Sequence, residues 1–305
     1  MNTTEQFQNA MLDAGMVTHH QIIDDGKLHR IHVEGDKRGT LNGAYILHSD
    51  GKPSGWFQHF STGLTGRWSQ SGKREPFSKE MRDQIEVDKQ QRQIEMQQRH
   101  DQAALKAQSI WRNAQLAISH PYLTKKRIKP HNTRVYNNAL VIPLYAPNRE
   151  LVNLQFIDAD GSKRFLSGGK KKGCFSVISQ KNAYKSVPVF FEISKFCQNH
   201  GVNNSHSLSI ILLCEGFATG ASLYEDTGHM TVIAMDAGNL EPVAREIKKL
   251  YPTSQIVVCG DNDASGVGQL KAKAAAMAVF GTVLIPEQTG MDWNDVLTME
   301  VTNNG

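Results

Sequence analysis

The sequence predicts an α/β protein: a mostly parallel sheet with helices on both faces, preceded by a basic α+β subdomain and a small N-terminal α+β unit. Three observations carry this. From about residue 207, apolar runs ("SLSIILLCEG", "MTVIAMDAG", "QIVVCGDND", "TVLIPE") alternate with helix-like stretches ("FATGASLYEDTG", "LEPVAREIKKLYP", "GVGQLKAKAAAMAVFG", "DWNDVLTME"). Strands that stay apolar without alternation, separated by helices, argue for a parallel sheet covered on both sides. Upstream, "ALVIPLYAPNRELVNLQFIDADGSKRFLSGGKKKGCFSVI" reads as antiparallel strands turning at "APNRE" and "DADGS". Before that, residues 78–117 contain neither Pro nor Gly and mix charges of both signs on helix formers, which predicts one long helix, its first half largely solvated.

These patterns divide the chain into residues 1–75 (small α+β unit), 76–118 (long connecting helix), 119–206 (basic α+β subdomain, opening on a short basic helix at "HPYLTKKRI") and 207–305 (parallel α/β unit). In the first unit a helix over roughly 4–14 precedes strands at "HRIHVEG", "NGAYILHSDG" and "PSGWFQHF". Its histidines, His19, His20, His29, His32, His48 and His59, match no metal-ligand spacing and are expected to be solvated or hydrogen-bonded. Residues 180–206 are expected to be less regular, ending in a loop.

The 305 residues are 39% apolar and 21% charged with a formal net charge of +4, ordinary values for a soluble protein. No apolar run reaches the ~18 residues of a membrane span, and the N-terminus lacks the pattern of a signal peptide. Cytoplasmic localisation and no membrane partner are expected. Cys174, Cys197, Cys214 and Cys259 form no C-x-x-C pair, so no zinc is expected. No G-x-x-x-x-G-K-S/T phosphate loop occurs in these residues.

Chemistry concentrates at the strand ends. Glu215 follows "SIILLC", Asp261 and Asp263 follow "IVVCG", and Asp292 follows the "TVLIPE" strand and its loop. In open α/β sheets, ligands bind outside the carboxyl ends of the strands. Each acid alone fits a turn or a helix start, and Asp295 with Asp292 suits the positive end of the last helix. Together they would repel one another unless a divalent cation intervened. Hard oxygen ligands at a solvent edge suit Mg²⁺, with Mn²⁺ accepted by the same set. Upstream, Lys163, Arg164, Lys170, Lys171 and Lys172 cluster around a Gly-Gly and are candidates for nucleotide or template phosphates; Lys125, Lys126 and Arg127 could extend that groove. Trp56, Phe57, Phe60 and Trp68 are candidates for a small core or for base stacking.

The order "CEGFATGASL", "CGDNDASGVG", "GMDWNDVL" resembles the Toprim domain, in the form found in DNA primases of plasmids, phages and integrative elements. The stretch from "ALVIPLY" to "KKKGCF" is similar to the basic sheet that precedes Toprim in those primases, and the likeness singles out Arg164. The resemblance implies short RNA primers made on single-stranded DNA from ribonucleoside triphosphates by metal-dependent nucleotidyl transfer, with a separate helicase or initiator as a possible partner. It implies Glu215, Asp261 and Asp263 as catalytic residues, these with Asp292 as metal ligands, and Gly216 and Asp295 as supporting residues. Two departures stand out: Thr219 occupies a position where many primases carry Asp, and no zinc-binding cysteine set is present. A Toprim-type nuclease and a non-catalytic single-stranded DNA-binding protein are the alternatives.

Overall fold

The structure, a computed structural model, describes residues 2–70, 79–179 and 209–303. The expectation for 180–206, and Cys197, fall outside these. The chain forms two compact units, residues 1–86 and 87–305.

The first unit is helix α1 (Thr3–Asp13) on a four-stranded antiparallel sheet of β1 (His29–Ile31), β2 (Gly43–His48), β3 (Ser54–His59) and β4 (Thr65–Ser69), in sequential order. Asn2 starts α1 through a capping box with Glu5, which satisfies two otherwise orphaned N–H groups. Strand alternation then decides the fate of the aromatics. Phe57 and Trp68 face the helix, where Phe7 meets them at ring distances of 5.9 and 5.8 Å. Trp56 points to the opposite face, its Nε1 donating to Thr65 Oγ1 at 3.1 Å. The histidines include hydrogen-bonded rings: His29 with Asp25 at 2.7 Å, His32 with the Thr40 carbonyl at 2.9 Å and His59 with Asp36 at 3.0 Å.

Helix α2 (Lys79–Asn113) is the predicted long helix. Ile85, Val87, Ile94 and Met96 in its first two-thirds are exposed, whereas Ala103 and Ala107 are buried. Ala107 packs with Val141, Leu154 and Phe156 of the second sheet. That sheet, all antiparallel, comprises β5 (Gln115–Leu116), β6 (Arg134–Tyr136), β7 (Ala139–Tyr145), β8 (Leu151–Ile157) and β9 (Lys163–Phe165), with helix α3 (Pro121–Lys126) inserted after β5.

The third sheet runs β10–β12–β11–β13–β14, from β10 (Ser176–Ile178), β11 (Ile210–Cys214), β12 (Met230–Ile233), β13 (Gln255–Cys259) and β14 (Thr282–Leu284). The last four are mutually parallel and β10 is antiparallel to β12. Helices α4 (Phe217–Thr227) and α7 (Trp293–Asn303) share a core with one face, and α5 (Leu240–Leu250) and α6 (Val267–Met277) cover the other. In β11, Ile210, Leu212 and Cys214 enter the first core while Ile211 and Leu213 enter the second, the period-2 split of a strand buried on both sides. Cys174, Cys214 and Cys259 are buried free thiols. Among the described residues, no helix is long and apolar enough to cross a membrane.

Candidate metal and nucleotide site

Parallel strands deliver their carboxyl ends to one edge, so Glu215 after β11, Asp261 after β13 and Asp292 after β14 arrive together. A fourth acid, Asp236 after β12, joins them. It escaped the sequence reading although "TVIAMDAG" carries the same signal, an apolar run ending in an acid.

Two glycines gauge the spacing. A Cβ at Gly268, in the first turn of α6, would lie 2.5 Å from Asp263 Oδ2 and 3.3 Å from Glu215 Oε1. Both carboxylates therefore close on the same point, and only a residue without a side chain fits there. At Gly216 a Cβ would stand in ordinary contact with Thr219 Oγ1 at 3.8 Å and Lys163 Nζ at 3.9 Å. The Asp261–Asp263 loop is tied to the segment leading to Asp292: Asn262 N donates to the Met291 carbonyl at 3.0 Å, and its side chain to the Pro286 carbonyl at 2.7 Å.

The acids differ in support. Asp263 accepts from Gly268 N at 2.7 Å and Ser265 N at 2.9 Å. Burial pushes its carboxyl up, but the Ser265 and Gly268 hydrogen bonds outweigh it and leave it below the usual carboxylate range. Glu215 Oε1 and Asp261 Oδ1 are buried without a hydrogen-bond partner. Burial first, and then the neighbouring acids, push Glu215 up to about 8 and Asp261 to about 6. Lys163 opposes both shifts, and its own ammonium is pushed down by burial and by Lys126. Asp292 and Asp295 accept from each other's backbone N–H, at 2.9 and 3.2 Å, and share Lys126 Nζ at 3.6 and 3.5 Å. Asn294 fixes that corner, donating to the Lys126 carbonyl and Ser222 Oγ at 2.8 Å each.

Orphaned buried carboxylate oxygens beside ionised Asp263 fit a divalent cation with oxygen ligands. As they stand, no three or more His, Cys, Asp or Glu groups among the described residues are gathered closely enough to hold a metal ion. Mg²⁺ keeps several waters and needs only one or two direct carboxylates.

The five basic candidates separate. Lys163 lies close enough for its charge to act on Asp292, Asp261 and Glu215. Arg164, next along β9 and therefore on its other face, is exposed, pairs with Asp158 and lies 5.3 Å from the Phe156 ring centroid. Lys171 Nζ sits 2.8 Å from Asp236 and 4.9 Å from the Phe165 ring centroid. Lys170 and Lys172 are exposed. Thr219 is buried in α4.

Sequence reading also missed Asn239, which sits buried where the lysine loop meets the sheet edge. Its side-chain N–H groups donate to the carbonyls of Lys171, Cys174 and Ala234 at 3.2, 2.9 and 2.8 Å, and its Oδ1 accepts from Gly173 N at 2.8 Å. Asn239→Ala is expected to cost about 3 kcal/mol by leaving buried backbone groups unpaired. Asn239→Asp should be at least as damaging, because a carboxylate cannot donate to three carbonyls. Urea unfolding of both variants checks this.

Residues 210–303, which carry this arrangement, match the family model of the Toprim domain. Over 301 residues the chain is 32% identical to a DNA primase TraC of Escherichia coli, covering 92% of this chain and 26% of that protein. A second E. coli DNA primase TraC is 31% identical over 306 residues, 94% of this chain and 20% of the relative. The chain thus spans about a quarter or less of the length of the curated relatives it matches. Among solved structures, the primase fragment of the bacteriophage T7 primase-helicase protein aligns with a TM-score of 0.38 and 16% identity, over 61% of this chain and 70% of that one. The Aquifex aeolicus primase (zinc-binding and RNA polymerase domains) aligns with a TM-score of 0.42 and 12% identity, over 100% and 84%.

Proposed function

We propose that the chain is a DNA primase, making short RNA primers on single-stranded DNA from ribonucleoside triphosphates by metal-dependent nucleotidyl transfer, in the cytoplasm and in the service of a mobile element. The observation that carries this is the pair of buried, unpartnered carboxylate oxygens of Glu215 and Asp261 at the carboxyl ends of neighbouring parallel strands, with Glu215 closing on the same point as Asp263. The similarity to DNA primase TraC along nearly the whole chain supports the reaction class.

Glu215, Asp261, Asp263 and Asp292 would hold Mg²⁺, with Mn²⁺ as a substitute. When bound, the ion neutralises triphosphate charge and stabilises the attacking and leaving oxygens. Asp263, held ionised by α6, is the permanent anion of the set. By the likeness to those primases, Glu215 would also assist proton transfer to or from a reacting oxygen. Lys163 offers an ammonium to the triphosphate. Asp295 would support Asp292, and Gly216 would let the backbone pass close to the site without a side chain. Lys170, Lys171, Lys172 and Arg164 would hold phosphates further out, Lys171 on release from Asp236. A separate helicase or initiator would deliver the template.

The test incubates the protein with unlabelled single-stranded DNA, Mg²⁺ and labelled ribonucleotides. Short products requiring all components are expected, and EDTA should abolish them. In a parallel reaction with end-labelled template, shortening of that template would instead identify a nuclease.

A further inference from the structure

The open face of the N-terminal sheet is unlike a discarded surface. Along the strands, Arg30, Ala44, Ile46, Ser54, Trp56, Gln58, Thr65 and Arg67 occupy the positions turned away from α1. Register places Ile46, Trp56 and Arg67 in one row across β2, β3 and β4. A cavity of about 430 Å³ opens on this row, lined by Ile46, His48, Ser54, Trp56, Arg67 and Ser69. Trp56 is partly exposed, and its bond to Thr65 holds the indole in place. At the far side of the face the Arg30 guanidinium lies 4.4 Å from the ring centroid of exposed Phe60.

The charge on this face has one sign. Its inward-facing neighbours supply the core, whereas its own strand positions include two arginines and no carboxylate. Among the described residues neither arginine makes an ion pair. The carboxylate at the rim, Asp50, lies 3.9 Å from His48. The row is too polar, with Gln58, Ser54, Thr65 and Ser69, to be an apolar patch awaiting a second copy. A fixed aromatic with cations on both sides is the combination that holds unpaired strands: the base stacks while the phosphates meet the cations.

We propose that this face binds single-stranded DNA, with a base stacked on Trp56 in the cavity and backbone phosphates at Arg67 and Arg30. It would give the N-terminal unit, which contains no cysteine, a way to hold template by stacking. The assignment of the strand as a DNA template rests on the primase reading above; the stacking surface itself does not.

The test uses the full chain and a fluorescein-labelled 12-nucleotide oligo(dT), read by anisotropy. Trp56→Ala is expected to weaken binding about 10-fold and Trp56→Phe to restore most of it. Arg67→Ala should weaken binding and flatten the slope of log affinity against log salt by about 0.7. Circular dichroism and thermal unfolding check that each variant is folded. Unchanged affinity in folded Trp56→Ala and Arg67→Ala overturns the proposal, as does equal dependence on Trp56 for a duplex of the same length, or tighter binding of a 12-nucleotide oligo(U) than of oligo(dT). Glu215→Gln separates the two readings. It should keep oligonucleotide affinity while losing synthesis. If wild type makes no primer yet Trp56→Ala still loses binding, the primase reading fails and the surface stands.

Discussion

Asp261→Asn/Asp263→Asn is expected to reduce primer synthesis by about 10³-fold or more, the range seen when metal-borne stabilisation of a transition state is removed. The substitution keeps shape and removes charge. Asparagine at 263 keeps one acceptor oxygen, so it can serve Gly268 N or Ser265 N but not both, and a modest loss at the start of α6 is expected. At 261 the charge is held against burial and against Asp292, so its removal should offset part of that loss in the metal-free fold. Thermal unfolding in EDTA checks that half of the expectation, and labelled-primer gels check the other. Asp295→Asn is the internal control. Its oxygens serve the Asp292 backbone and Lys126 rather than the Glu215–Asp263 meeting point, so about a 10-fold loss or less is expected. A folded double variant that retained a tenth of wild-type synthesis would remove both acids from the chemistry.

The strand-end acids were legible because two rules act together: buried parallel strands read as uninterrupted apolar runs, and their carboxyl ends share one edge. Asp236 obeys both rules and was still passed over, because "AMDAG" also reads as an ordinary turn. The basic residues show where the sequence falls silent. Alternation says that Lys163 and Arg164 point to opposite faces of β9. It does not say which face meets the Toprim edge, since that depends on how the second sheet shares a core with α4. The same gap separates Trp56 from Phe57. Their opposition is written in the strand, but only the seating of α1 through Phe7 decides which one is buried. Asn239 left no signal of its own, because three of its four partners lie in the 171–174 loop, which meets it only in the fold. Likewise the composition of α2 announces a helix, while the burial of Ala103 and Ala107 depends on a sheet it does not name.

In EDTA, wild type is expected to lose stability as pH rises from about 6.5 to 9, and Glu215→Gln to lose much less. The sign follows from the direction of the shifts. Glu215 is raised in the fold from 4.5 to about 8 and Asp261 from 3.8 to about 6. Between the unfolded and folded values the native state binds the extra proton. The stability contributed by that proton is fully present below the unfolded value and is lost as pH climbs through the folded one. Asp261 completes its loss near pH 6 to 7, which leaves Glu215 to set the slope above. There the slope can approach about 1.4 kcal/mol per pH unit. His229, lowered by burial, acts in the opposite direction near its ordinary value; the difference between wild type and Glu215→Gln cancels it. Mg²⁺ should restore wild type at pH 8.5, by about 2.7 kcal/mol at a hundred times its dissociation constant, and should do less for Glu215→Gln. Melting temperatures across pH, with and without Mg²⁺, measure all of this. Parallel pH curves for the two proteins would mean that Glu215 titrates as a solvated acid, and its orphaned oxygen would then lose its meaning as a ligand held ready for a cation.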